Sequence, residues 1–475
     1  MIIPAPHFRR ILVAFGITLY PCVAEESQVD LERSKELIAW KSEETGHLGA
    51  VTVSQQRLIY PVSDSGPSGK LLRTNLRCRD LASGKVMWEA RMESDGDRSH
   101  YPPGLPSVSA AFVLGDRVFV QTTEAQVVAL ALPGFSDGIN KGPFRWEQNR
   151  AMDAADILWF RDFQADLKVM PKNVGDIGAA IAVPLAIGSR VYCMTGNGGV
   201  QSGGEGTPPN LQAPAFAALS ATDGSILWQN NDSSKDCALY QNGSPFPVSS
   251  DPEPKAIGFP GGDGFLYVVD AANGVTLARL PCFPKDSTPW TKAERGTRNF
   301  FSIAPTVALP YILACPGWTL EMRTMAMPGR RSPVFAYKMT GDRSAELAWT
   351  FDDEDFRGTM SPFFVQDNQV FLLGYPNRLI VLDLVTGKKV RESKLPAECH
   401  GHAGMTSWKD RLVVCLDDGI HIIANDAKLT PLACLEAGES PSLFSQPIIE
   451  GERLIIATAH TLWVIDLRGL GGELK

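Results

Sequence analysis

The chain repeats one short motif, and a repeat constrains a fold more tightly than composition does. Asp80-Leu-Ala-Ser-Gly84-Lys-Val-Met-Trp88 sets glycine four residues after an acid and tryptophan four residues after the glycine. Ser220 to Trp228 keeps that spacing through Gly224, with serine in the acid's place. Asp270 with Gly274, and Asp383 with Gly387, repeat the first half, and Ala278 and Arg391 stand where tryptophan would. Gly341 and Trp349 form another copy with Tyr337 at the acid position, and Asp466-Leu-Arg-Gly469 is a shortened last one. An Asp side chain caps a turn through nearby backbone amides, and glycine takes the left-handed position at no steric cost. A tryptophan at a fixed distance beyond the turn offers a large flat surface for covering a neighbouring sheet.

Each copy follows an apolar run of strand character, such as Phe265–Asp270, Leu379–Asp383 or Leu462–Asp466. A second run lies upstream, as at Arg117–Gln121, Arg190–Met194, Gln369–Leu373, Arg411–Cys415 and Arg453–Ala457. A short entry segment precedes that. One unit therefore reads as a four-stranded antiparallel meander. Units fall near residues 49–91, 107–165, 178–231, 243–283, 300–353, 359–396, 401–437 and 442–470. The last lacks a fourth strand, and Glu36-Leu-Ile-Ala-Trp40-Lys41 at the amino end has the look of one. Joining the two closes a ring and removes its open edges. The expected fold is all-β: an eight-bladed propeller closed by the amino-terminal strand. Seven blades is the alternative, because the second unit is irregular from Phe135 to Asp166. A closed ring needs no second copy, so a monomer is expected.

The 475 residues would otherwise suggest several domains. The repeat replaces them with one domain over residues 25–475, behind a secretory leader over residues 1–24. The leader has Arg9 and Arg10, an apolar stretch from Ile11, and Cys22 and Ala24 as small residues before cleavage at Glu25. Pro21 before Cys22 argues against a lipid anchor there. Beyond the leader no uncharged apolar run reaches the roughly 20 residues of a membrane span. Net charge is −8 with no basic block, which excludes a nucleic-acid binder as the leading reading. Export predicts a periplasmic or envelope-associated protein.

Candidate chemistry is sparse. Of nine cysteines, the eight beyond the leader form no C-x-x-C and no adjacent pair, which suggests buried thiols with at most one or two bridges. Cys399-His400-Gly401-His402 is a weak candidate for a transition metal, since His400 and His402 share a strand face but the ligand set is incomplete. Lys285, Arg295 and Arg298 form a basic loop that could hold an acidic partner or an anion. The acidic run Asp352–Asp355 lacks the spacing of a calcium loop, and an arginine of the basic loop could instead pair with it. Thr195–Gly198 and Phe259–Gly264 read as blade turns, since neither leads into a helix with Lys-Ser/Thr. No Gly-x-Ser-x-Gly elbow or Ser-His-Asp set can be assembled.

These motifs resemble the pyrroloquinoline quinone (PQQ)-like β-propeller superfamily. The likeness is strongest to an exported sub-group with runs like Thr195–Gly198, Phe259–Tyr267, Cys282–Lys285 and Arg295–Asn299. It extends over nearly all of residues 36–470. It implies one of two roles. The first is a non-enzymatic scaffold in the cell envelope, akin to the BamB-type outer-membrane assembly scaffold. It would bind envelope protein partners through loops 195–216, 284–299 and 319–333. The second is a dehydrogenase of an alcohol or sugar, which would hold PQQ over a tryptophan floor with Ca²⁺ as Lewis acid. The adjacent-cysteine ceiling of many such enzymes is absent. The scaffold role is the expectation, with no cofactor.

Overall fold

The structure is a computed structural model. It describes residues 27–30, 37–65, 71–92, 108–135, 155–170, 182–197, 210–233, 243–283, 304–315, 333–341, 343–356, 359, 361–374, 376–398, 404–438 and 446–468. Eight four-stranded antiparallel sheets follow one another along the chain. Blade one is Thr52–Ser54, Arg57–Ser65, Leu71–Asp80 and Val86–Met92. Blade two ends in Ile157–Asp162, blade three in Ile226–Asn230, blade four in Thr276–Pro281 and blade five in Ser344–Phe351. Blade six ends in Lys389–Lys394 and blade seven in Pro431–Glu436. Blade eight takes Ile448–Glu450, Arg453–Ala457 and Thr461–Asp466 from the carboxyl end and Ile38–Glu43 from the amino end. The fold is an eight-bladed propeller, and seven blades are ruled out. The irregular second unit is a complete blade whose fourth strand starts at Ile157. One turn of helix, Phe163–Leu167, follows it, with Asp162 accepting hydrogen bonds from the amides of Gln164 and Ala165.

Burial explains the strand order. Second and third strands, such as Arg117–Gln121 and Gln126–Ala131, are buried almost throughout. They lie between neighbouring blades and so carry continuous apolar runs rather than alternation. Eight apolar clusters occupy the interfaces, one for each adjacent pair of blades. The cluster of Leu58, Tyr60, Ile455, Leu462 and Val464 joins blade eight to blade one and closes the ring.

The tryptophans set the blade spacing. Every fourth strand carries a β-bulge one residue before the tryptophan position. A bulge turns the following side chain and sharpens the local twist. Trp88 then lies opposite Cys78 and reaches into blade two, where its Nε1 donates to the Leu132 carbonyl at 2.9 Å. Trp40, Trp159, Trp228 and Trp349 make the same bond to Leu81, Ala221, Ala271 and Leu384 of the next blade. Each of those four rings lies over the turn glycine of that blade. A methyl carbon on Gly387 would sit 2.4 Å from the Trp349 ring, so side-chain volume is excluded there as well as a negative φ being unnecessary. Ala278, Arg391 and Ala433 hold the same register position in blades four, six and seven. Arg391 replaces ring packing with hydrogen bonds to Asn425 and the Asp426 carbonyl of blade seven.

Two copies of the motif differ from the sequence reading. In blade two the glycine under Trp88 is Gly134, outside any Asp-x-x-x-Gly run. In blade five the third strand runs on to Gly341, which pairs with Ser344, and Tyr337 lies within the strand opposite Leu347. Gly341 is therefore a strand-end residue, although Trp349 docks normally. One further strand was not expected. Ser27–Asp30 adds to the outside of blade seven, parallel to Pro431–Glu436, with Gln28 opposite Cys434.

Candidate interaction face

The meander gives the ring two unlike ends. Turns between first and second strands share one end with the Asp-x-x-x-Gly turns, and backbone bonds join them, as from Leu81 to Gln56 and from Leu384 to Asn368. Asp80 and Asp383 each accept from an amide and a hydroxyl in their own turn, at Ser83 and Thr386. Those bonds hold both carboxyls below their ordinary range. Except for the connection 132–156 of blade two, this end is short and tied down. The other end carries every turn between second and third strands and every crossover to the next blade. The three long segments 195–216, 284–299 and 319–333 all connect strands at this end, from blades three to five. Loops on a rigid frame are the usual place for recognition.

Described residues at this end form three polar groups. At blades two and three, Asn197 is buried, donates to the Asn210 carbonyl and accepts from the Met170 amide. Gln121 donates to the Met194 carbonyl at 2.7 Å. These bonds fasten both ends of the 195–216 connection. At blade four, Tyr267 donates to Asp263 at 2.5 Å, and Arg279 lies 3.3 Å from the same carboxyl with its guanidinium 4.3 Å from the Phe265 ring. Gly261 is needed because a methyl carbon there would meet Asp263 at 2.4 Å. Phe259–Tyr267 is thus a strand, turn and strand braced from within. At blade seven, Asp418, His421 and Cys434 converge.

Burial raises the Asp263 carboxyl above its ordinary value, with the Tyr267 and Arg279 interactions opposing. A raised folded value gives stability at low pH that is lost as pH climbs through it. Asp263→Asn keeps an acceptor for Tyr267 and removes the ionisation. Its melting temperature should therefore gain on the wild type over the interval that starts at the ordinary Asp value of about 4 and runs upward. A difference that stays constant over that interval would refute this.

The basic loop Lys285, Arg295 and Arg298 and the candidate ligands Cys399, His400 and His402 lie outside the described residues. The acidic run is partly committed: Asp353 holds Arg378 at 3.2 Å and Lys389 at 3.5 Å, and both cations also bind Glu392. The partner is thus an arginine of blade six. All six described cysteines, Cys78, Cys193, Cys282, Cys315, Cys415 and Cys434, are buried. Burial pushes the Cys78 and Cys315 thiols up to about 12, which leaves them unreactive.

Comparison with known proteins agrees with this geometry. The family described as outer membrane protein assembly factor BamB, a PQQ-repeat family, matches residues 72–288. BamB from Moraxella catarrhalis superposes with a TM-score of 0.56 at 12% identity, covering 90% of this chain and 99% of that one. The chain is an eight-bladed β-propeller whose residues 72–288 match that family. The architecture also matches the computationally designed Ika8 protein, with a TM-score of 0.50 at 11% identity over 93% of this chain and 99% of that one. Sqt1 of Saccharomyces cerevisiae matches with a TM-score of 0.52 at 10% identity over 90% and 97%. No curated protein matches the sequence. No helix among the described residues is long and apolar enough to cross a membrane.

The name of the superfamily invites a test of fit to the quinone. Seven of the ten tryptophans are described. Five dock between blades, and Trp408 and Trp463 are buried in the cluster between blades seven and eight. No described tryptophan is left to serve as a flat floor, and Trp146, Trp290 and Trp318 lie outside the described residues.

Proposed function

We propose that this propeller is an exported, non-enzymatic scaffold that docks an envelope protein on the end carrying its long connections. The BamB-like fold supports a protein-interaction role at family level. The observation that carries the finer reading is the two-ended ring. Apart from the connection 132–156 of blade two, one end is made of short bonded turns, and the three long connections of blades three to five all belong to the other. Lys285, Arg295 and Arg298 fall in the connection between Pro281 and Thr306 and suit an acidic surface on the partner. Export rests on the leader over residues 1–24, which places the mature start at Glu25, two residues before the strand Ser27–Asp30.

The test is capture from an envelope extract with tagged mature protein. Lys285→Glu, Arg295→Glu and Arg298→Glu together should cut recovery of the partner by roughly tenfold or more, as when charges of a complementary pair are reversed. A triple substitution at the other end, at the exposed Thr222, Val275 and Val385, should change nothing. Capture lost only on the short-turn end would reject the docking face. Oxidation of an alcohol or sugar by the purified chain with PQQ and Ca²⁺, followed with a dye, would reject the scaffold in favour of the dehydrogenase.

A further inference from the structure

We propose that blade seven holds a transition-metal site made by Asp418, His421 and Cys434. It goes beyond the scaffold reading and does not depend on it. Their ligand atoms all lie within 4.8 Å of one another. His421 and Cys434 stand directly opposite across the third and fourth strands of the blade. Directly paired side chains project from the same face of a sheet. His421 Nε2 lies 3.6 Å from Cys434 Sγ and 2.8 Å from Asp418 Oδ1. Two bonds of about 2.05 and 2.3 Å at a tetrahedral angle put nitrogen and sulfur about 3.6 Å apart, so that pair is already spaced for a zinc-type ion. The oxygen needs to open by about half an ångström to reach a tetrahedral separation. Asp418 is the half-exposed member, in the tight turn after Leu416, and is the one free to move.

The surroundings make room for this set. His421 is 1% exposed and Cys434 6%. A methyl carbon on Gly419 would lie 3.1 Å from Cys434 Sγ, so glycine keeps the space beside the sulfur open. Asp418 and Cys434 converge on one ring nitrogen of the histidine, Nε2. A catalytic triad would instead place the carboxylate on the far nitrogen from the thiol, so the arrangement is one of ligands and not of an activated nucleophile. One nitrogen, one sulfur and one carboxylate oxygen suit Zn²⁺, Co²⁺ or a related ion, and disfavour Ca²⁺ and Mg²⁺. Three protein ligands leave one tetrahedral position for water. Binding releases the Cys434 thiol proton to solvent and takes His421 neutral.

The probes are Zn²⁺ and Co²⁺ added to the metal-stripped full chain. The expected result is one tightly held equivalent of Zn²⁺ by dialysis, a higher melting temperature, and a near-ultraviolet thiolate charge-transfer band with Co²⁺. Cys434→Ser should abolish the band. Asp418→Asn, at a half-exposed position that leaves the fold intact, should weaken Zn²⁺ by at least the roughly 10–100-fold that even an outer-shell partner contributes. His400→Asn with His402→Asn should leave binding unchanged. Absence of stoichiometric binding, a Co²⁺ complex without the thiolate band, or binding lost with His400 and His402 instead would each overturn the site.

Discussion

Deleting residues 25–43 should destroy the cooperative ring and not merely shorten it. The deletion removes the fourth strand of blade eight and leaves Thr461–Asp466 as an open, apolar edge. Such an edge is a template for aggregation. It also strips Leu37 from its cluster, removes Trp40 from Gly84 and uncovers Trp463, which lies 5.0 Å beneath Lys41. Losing the buried Leu37 and the half-buried Trp40 side chains costs about 2–5 kcal/mol before any hydrogen bond is counted. That is a large fraction of the roughly 5–15 kcal/mol that holds a native domain. The cut also falls beside a buried charge network. Glu44, next in the chain, is held by Arg77 and Arg79 of blade one and accepts from Tyr60 at 2.9 Å. The measurement is thermal unfolding with size-exclusion chromatography. A peptide of residues 25–43 added in trans should restore a single sharp transition. A truncated chain that stays monomeric and melts as the full chain does would show that the amino end does not close the ring.

Trp88→Ala is the second large effect, expected at about 3–5 kcal/mol from the cavity alone. The ring is fully buried between blades one and two. Its loss also leaves the Leu132 carbonyl without its donor, which adds about 1–3 kcal/mol where that group stays dry. Trp88→Phe separates the two contributions, since it fills much of the space and lacks the donor. The phenylalanine variant should lose distinctly less than the alanine variant in chemical denaturation. Equal losses would mean that the hydrogen bond and not the ring sets the spacing. Arg391, at the same register position in blade six, gives the comparison. It is half-buried and hydrogen-bonded to blade seven, so Arg391→Ala should cost less than Trp88→Ala.

Much of this ring is legible in local residues. Strand runs, turn chemistry and an orphan strand at each end were enough to place eight blades and to close them, because each depends on spacing within one unit. The failures have a common cause. Trp159, which docks on Gly224, and Gly134, which lies under Trp88, stand in blade two without the Asp-x-x-x-Gly signature, so nothing local marks either of them. Gly341 stands eight residues before Trp349 instead of four, and a strand that extends past Tyr337 makes it an edge residue. Ser27–Asp30 has neither apolar alternation nor a turn beside it, and its place against blade seven follows only from the outer edge it meets.

The Asp418, His421 and Cys434 group shows most clearly where sequence ends. Counting back along the hairpin from Ile423 opposite Pro431 would set His421 against Ala433, with Cys434 on the other face. The bulge at Leu432 shifts the pairing by one residue and brings the sulfur to the imidazole. A one-residue shift in a strand exchanges its two faces. The sequence by itself determined the repeat, the blade count and the strand that closes the ring, because glycine, aspartate and tryptophan act within a few residues. Only the tertiary structure decided which tryptophan covers which neighbour, which end of the ring is open, and which side chains meet in blade seven. Those depend on bulges and blade-to-blade packing, whose energies are set by contacts far apart in the chain.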